Sequence, residues 1–258
     1  WRPVPPGDAQ VLSLRFQTNG TYYTAASVSF MEPWLFGKKP TSFSLSGYYT
    51  RQTNSYYFYQ NPDEYFEVYG VAASLGNRLK WPDNYFVLYH ELSWQAYNLH
   101  DWGYNFLFST GQSNNFSYKV TLARNSTDQQ VFPRQGSDFT FSVQLTPPYS
   151  LFRDPNTNYQ SMTDQERYRW IEYHKWTFKG ALYTKIVGDL VLMARAQFGY
   201  LGSYNKKWGY SPFEGYQVGG DGMSGYNTYG SEIIALRGYE NYSLTPRDEN
   251  GVYSGHIY

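Results

Sequence analysis

A chain of 258 residues is long enough for one large domain or two small ones. It balances 21 Lys+Arg against 21 Asp+Glu, so no net field draws it to nucleic acid or to an anionic surface. With no cysteine, a disulfide scaffold and a Cys-based metal site are excluded, and the four histidines show no ligand spacing of the His-x-x-x-His kind.

Residues 1–8 (Trp-Arg-Pro-Val-Pro-Pro-Gly-Asp) have no charged stretch ahead of an apolar core and do not read as a signal peptide; an exported protein would be seen here in mature or truncated form. No run approaches the ~18–20 apolar residues of a spanning helix. From Val11 the chain alternates with period two, Leu12, Leu14 and Phe16 opposing Ser13, Arg15 and Gln17. Thr18-Asn19-Gly20 signals a tight hairpin, because Asn-Gly accepts positive φ cheaply. Residues 32–40 form an aromatic, basic turn bracketed by Pro33 and Pro40. Phe43, Leu45 and Tyr49 then oppose Ser42, Ser44 and Ser46, residues 65–75 fit either register, and residues 86–96 alternate with His90 on the apolar face. Phe116, Tyr118, Val120 and Leu122 alternate with Ser117, Lys119 and Thr121. The cleanest strand follows, with Phe139, Phe141, Val143 and Leu145 against Thr140, Ser142, Gln144 and Thr146.

Residues 147–172 read as a polar insertion in which Thr163-Asp164-Gln165-Glu166 starts one short helix. In residues 190–200 an apolar face opposes Arg195 and Gln197. Residues 203–255 form a long glycine-rich segment; a connection of that length is usually functional or disordered, and its many aromatics argue against disorder. Roughly nine or ten strands result, many meeting the ~9–11 residues of a tilted spanning strand. No linker or fixed-period repeat divides the chain, which reads as one all-β unit.

A soluble β-sandwich or barrel accommodates such strands equally well. Three features favour a membrane barrel: strands long for a sandwich, short turns alternating with longer loops, and aromatics gathered near strand ends. Examples are Trp34 and Phe36, Tyr56 to Tyr59, Tyr104 and Phe106, and Trp176 and Phe178. Interfacial aromatic girdles behave this way in outer-membrane barrels.

Two spaced motifs sharpen this. Asp128-Gln129-Gln130-Val131-Phe132-Pro133-Arg134-Gln135-Gly136 leads into the cleanest strand, and alone would be an ordinary hairpin turn. Later come Pro212-Phe213-Glu214-Gly215-Tyr216, then Gly219-Gly220-Asp221, then Leu236-Arg237-Gly238-Tyr239. In this order, with Ser29–Leu35 as a strand-to-turn segment, they resemble the BamA-type outer-membrane assembly factors. That superfamily also holds two-partner secretion transporters and chloroplast import channels.

The resemblance implies a transmembrane antiparallel β-barrel of sixteen strands in the whole protein, with about strands three to twelve in this chain. Periplasmic POTRA domains, the first two strands and the last four would lie outside residues 1–258. Residues 203–255 would be a long extracellular loop folded into the lumen. Arg237, Gly238 and Tyr239 would be its tip, with Arg237 pinning the loop to an acidic partner beyond residue 258. Gly238 would adopt positive φ or pass close to the wall, and Tyr239 would pack with its hydroxyl bonded. Gly219, Gly220 and Asp221 would form the approach, and Asp128, Pro133 and Gly136 a structural periplasmic turn.

The implied function is folding and insertion of outer-membrane proteins through a weakly closed seam, with no catalysis, metal or cofactor. Implied partners are unfolded outer-membrane proteins, periplasmic lipoprotein subunits of the BamD kind and the bilayer of the cell outer membrane, but no nucleic acid. The alternative within the superfamily is a two-partner secretion or other polypeptide-translocating pore. From another class comes a soluble all-β carbohydrate-binding protein or glycosidase; Asp63, Glu64 and Asp101 are carboxylates without distinguishing context.

Overall fold

A computed structural model describes residues 9–35, 41–54, 63–102, 107–154, 159–221, 231–247 and 254–258. Residues 1–8, Phe36, Tyr56 to Tyr59, Tyr104 and Phe106, which the sequence reading used, lie outside the described residues.

Nine antiparallel strands form one sheet in strict chain order. They are β1 (Val11–Asn19), β2 (Tyr23–Glu32), β3 (Thr41–Thr53), β4 (Tyr65–Arg78), β5 (Phe86–His100), β6 (Gly111–Asn125), β7 (Gly136–Leu145), β8 (His174–Val187) and β9 (Leu190–Gly202). Every alternating segment read from the sequence falls on one of these strands. The hairpin at Asn19-Gly20 is present, with Asn19 opposite Tyr23 and Gly20 at φ +59. Sequence reading did not single out β2 and β8. Small residues (Ala25, Ala26, Ser27) blur the alternation of β2, and β8 begins directly after the insertion.

Register carries each face across the whole sheet. Leu12, Phe30, Leu45, Ala73, Leu92, Tyr118 and Leu145 are successive partners on the apolar face. One residue along, Ser44, Ser74, Glu91, Lys119, Gln144 and Lys175 are successive partners on the polar face. Among the described residues nothing covers the apolar face at Leu14, Phe16, Leu192 and Phe198, which are all exposed. A continuous apolar face outside and a polar face inside is the pattern of a sheet that stands in lipid around a wet interior. His90 sits on the apolar face as expected and is satisfied there, its Nδ1 2.6 Å from the Tyr118 hydroxyl.

The protein's buried core lies on the polar face, at one end only. Phe66 and Val68 of β4, Tyr97 and Leu99 of β5 and Leu201 of β9 pack against Ile171, Tyr173, Phe213, Tyr216 and Ile234 from the long connections. This explains why residues 65–75 fit either register: near that end the long connections cover Phe66 and Val68 on the polar face while Tyr69 and Val71 stand on the uncovered face, so both faces carry apolar side chains and alternation is lost.

Connections 20–22, 54–64, 101–110, 146–173 and that following β9 share this end, while 33–40, 79–85, 126–135 and 188–189 share the other. The insertion between β7 and β8 holds two short 3₁₀ turns (Tyr149–Phe152 and Tyr159–Ser161) and one helical turn, α1 (Asp164–Arg167). A capping box begins α1: Thr163 Oγ1 accepts from the Glu166 N–H, and the Glu166 carboxylate accepts from the Thr163 N–H. After β9 the chain forms a two-stranded parallel pair, β10 (Gly215–Val218) and β11 (Ser231–Ile234), before residues 256–258 hydrogen-bond antiparallel along β9.

Candidate functional site

The segment after β9 is seated on the polar face by side chains that the strand register places there. Phe213 is fully buried, its ring stacked on Tyr97 at 4.5 Å. Next in the chain, the Glu214 carboxylate accepts from Lys175 Nζ at 3.1 Å and from the Tyr173 hydroxyl at 3.2 Å, with the Asn115 amide at 3.4 Å. Gln144 and Asn115 both donate to the Tyr173 hydroxyl, and Gln95 ties Asn115 and Tyr97 together. A single polar network therefore joins β5, β6, β7 and β8 to the root of the loop. Both partners of the ion pair are nearly buried, so its charge-assisted hydrogen bonds are only weakly screened.

Farther along, Lys179 pairs with Glu232 of β11. Lys175 and Lys179 are four residues apart on one strand and so share its polar face. Together with Lys119, Thr140, Gln144 and Glu232 they line a cavity of about 200 Å³ beneath the loop. Gly199 of β9 is required by this packing: a Cβ there would enter the rings of Tyr258 and Tyr216.

The glycine pair and the tip motif are brought together. Gly219 N–H donates to the Ile234 carbonyl (3.0 Å), Gly220 N–H to the Tyr239 carbonyl (3.1 Å), and Leu236 N–H to the Gly220 carbonyl (2.9 Å). Leu236, Arg237, Gly238 and Tyr239 form a β-turn closed by Tyr239 N–H on the Leu236 carbonyl at 3.3 Å, with Gly238 at φ +92. Among the described residues no atom lies within 4 Å of a Cβ built on Gly238, so its requirement there is conformational. Gly219 and Gly220 combine positive φ with crowding: a Cβ on Gly219 would lie 2.5 Å from the Glu240 carbonyl oxygen, and one on Gly220 would strike Asn241. Asp221 follows, exposed.

Arg237, at the second position of the turn, is exposed and forms no ion pair among the described residues. Tyr239, whose backbone faces Gly220, is 53% exposed among the described residues. The tip is thus held to the loop's own approach through main-chain bonds, while side-chain anchoring to the wall is done at the root by Glu214 and Glu232. Sequence reading quoted Glu214 only as part of a motif and passed over Lys175 and Lys179. The available signal was the same-face spacing of two lysines on a strand beside a loop carrying isolated glutamates.

The Asp128, Pro133 and Gly136 segment is a closed turn between β6 and β7, at the end with shorter connections. Asp128 Oδ1 accepts from the backbone N–H groups of Arg134 (2.9 Å) and Gln135 (3.3 Å), while its own N–H donates to the Gln135 carbonyl. The Arg134 N–H foremost holds the Asp128 carboxyl below the usual carboxylate range. Gly136 sits at φ +108 with a Cβ position 2.9 Å from Thr127 Cα, so no other residue fits. Among the described residues this turn has no part in the loop seat.

Among the described residues no group of His, Asp and Glu side chains is arranged to hold a metal. A comparison with curated proteins finds no match. The crystal structure of BamA from Haemophilus ducreyi lacking POTRA domains 1-3 is similar to this chain at a TM-score of 0.62 and 19% identity. The similarity covers 97% of this chain but 46% of that one, so the chain spans about half the length of the structure it matches. The model of the Omp85 superfamily domain matches residues 6–258. This chain, an open run of antiparallel strands with an apolar outer face and a loop seated on its polar face, thus belongs to the Omp85 superfamily, and its fold is similar to part of the BamA barrel.

Proposed function

We propose that this chain is the loop-bearing part of an outer-membrane assembly factor, which folds other outer-membrane proteins and inserts them through a weakly closed barrel seam. Residues 203–255 are then an extracellular loop folded into the lumen, and the Asp128 turn is periplasmic. Incoming strands pair with an exposed sheet edge, main-chain bonds supplying affinity without sequence preference. Periplasmic lipoprotein subunits of the BamD kind would deliver them, and the bilayer of the cell outer membrane is the site of action. No cofactor or nucleic acid enters this mechanism.

The observation that carries the reading is the double hold on the loop: a buried Lys175–Glu214 root and a tip whose Arg237-Gly238-Tyr239 turn is bonded to Gly219-Gly220. A permeation pore gains nothing from filling its own mouth with a rigid aromatic plug, whereas a barrel that must stay sealed while its seam opens does. In this reading Arg237 is free at the tip to take a carboxylate of the full-length barrel, which a guanidinium does bidentately.

Depletion of the full-length protein tests this. Levels of unrelated outer-membrane barrels should fall, and a copy carrying Arg237→Ala should fail to restore them. Unchanged barrel levels with one secreted partner retained in the periplasm would instead identify a two-partner secretion pore.

A further inference from the structure

Leu151 and Phe152, in the short turn Tyr149–Phe152, are 63% and 80% exposed, and the sheet sets where that turn is fastened. β6 is longer than β7: Tyr118 pairs with the last residue of β7, Leu145, and β6 continues to Gly111 with that edge unoccupied by β7. The insertion fills the vacancy. Asn114 N–H donates to the Arg169 carbonyl and Ile171 N–H to the Asn114 carbonyl, both at 2.8 Å, making a parallel bridge between Asn114 and Trp170.

Bridge partners point to the same side of a sheet. Asn114 shares the apolar face with Phe116 and Tyr118, so Trp170 lies on that face, while Ile171 enters the buried core on the other. The Tyr149–Phe152 turn is fastened outside this segment. The Tyr149 ring is 5.4 Å from Trp170, and the Glu172 carboxylate accepts from both the Ser150 N–H (2.7 Å) and its hydroxyl (2.6 Å).

Height follows from strand length. The 10 residues of β7, at ~3.4 Å each and tilted by ~40°, rise about 25 Å, the height of the apolar band of an outer-membrane barrel. The turn begins just beyond Leu145, where the strand leaves that band. Tyr149 and Trp170 are therefore gathered at the rim on the lipid-facing side, above the uncovered apolar face, and the exposed Leu151 and Phe152 belong to the same fastened turn. Rings of this kind favour the boundary between headgroups and acyl chains.

We infer that the Tyr149–Phe152 turn and Trp170 form an interfacial foot that rests in the bilayer's headgroup–acyl boundary and steadies the insertion covering β6. The foot requires only the membrane-spanning reading of the sheet and is independent of the assembly role.

The test uses the full-length protein, any cysteines outside this segment replaced by serine, in phosphatidylcholine vesicles. Phe152→Cys is labelled with an environment-sensitive dye; Phe141→Cys, on the apolar face in mid-strand, serves as the reference. Nitroxide lipids labelled near the headgroup should quench the Phe152→Cys dye roughly twofold more than those labelled near the acyl terminus, and the reference should show the reverse order. A Phe152→Cys dye quenched by aqueous iodide but by neither lipid nitroxide, beside a normally quenched reference, would overturn the foot while leaving the membrane sheet intact. Shielding from iodide and nitroxides alike would mean a protein cover in place of lipid and would also overturn it. Failure of the reference itself would remove the membrane-spanning reading and the foot with it.

Discussion

Removing Glu214 should release the loop root. In Glu214→Ala, Lys175 keeps its place on the polar face with only 10% of its side chain exposed, and the Tyr173 hydroxyl loses its acceptor. Breaking one partner of a buried pair costs about 3–5 kcal/mol, because the other charge stays desolvated. The 200 Å³ cavity beside Lys175 admits water to part of the ammonium, which places the expected loss at the lower end, about 3 kcal/mol. Substituting both, as Lys175→Met with Glu214→Ala, removes the stranded charge and should recover about 1–2 kcal/mol of that loss. The second pair supplies the internal control. Lys179 and Glu232 are 46% and 27% exposed, so Glu232→Ala should cost under about 1 kcal/mol. The assay is urea unfolding of the full-length protein in detergent micelles, with tryptic cleavage at Arg247 reporting the loop. A Glu214→Ala loss below about 1 kcal/mol, or a double variant whose cost is the plain sum of the singles, would refute a coupled buried anchor.

Three further outcomes test other parts of the structure. Gly219→Ala, with φ +122 and a backbone oxygen in the way, should loosen the loop more than Gly238→Ala, which meets no atom and carries only the ~1 kcal/mol strain of positive φ; faster trypsin cleavage at Arg237 in the first variant alone is the readout. Phe198→Arg, on the apolar face, should cost about 2–4 kcal/mol relative to Phe198→Ala, whereas Gln197→Arg on the polar face should be near neutral in micelle unfolding; equal costs would mean the faces are misassigned. Asp128 titrates below its unfolded value because of the Arg134 and Gln135 N–H groups, so its contribution is fully present above the unfolded carboxylate range and is lost as pH falls through the lower folded pKa. Asp128→Asn should therefore destabilise at neutral pH and converge with the parent protein in strong acid; a difference that persists unchanged below about pH 2 would contradict that linkage.

What the sequence alone determined is what depends on near neighbours. Period-two alternation assigned the faces of β1, β3, β5, β6, β7 and β9, because successive side chains leave a strand on opposite sides whatever the strand pairs with. Asn19-Gly20, the Thr163–Glu166 capping box and the Asp128 turn were legible for the same reason: each closes its hydrogen bonds within a few residues. Where a residue's environment comes from distant chain, the pattern failed. Phe66 and Val68 broke alternation because a loop more than a hundred residues later covers them. Tertiary structure alone decided that residues 168–172 would close the free edge of β6, that Gly219-Gly220 would bond the Arg237 turn, and that Glu214 would find Lys175. A buried charge is stable only beside its partner, and the register of the whole sheet, which no local pattern encodes, sets that partner's position.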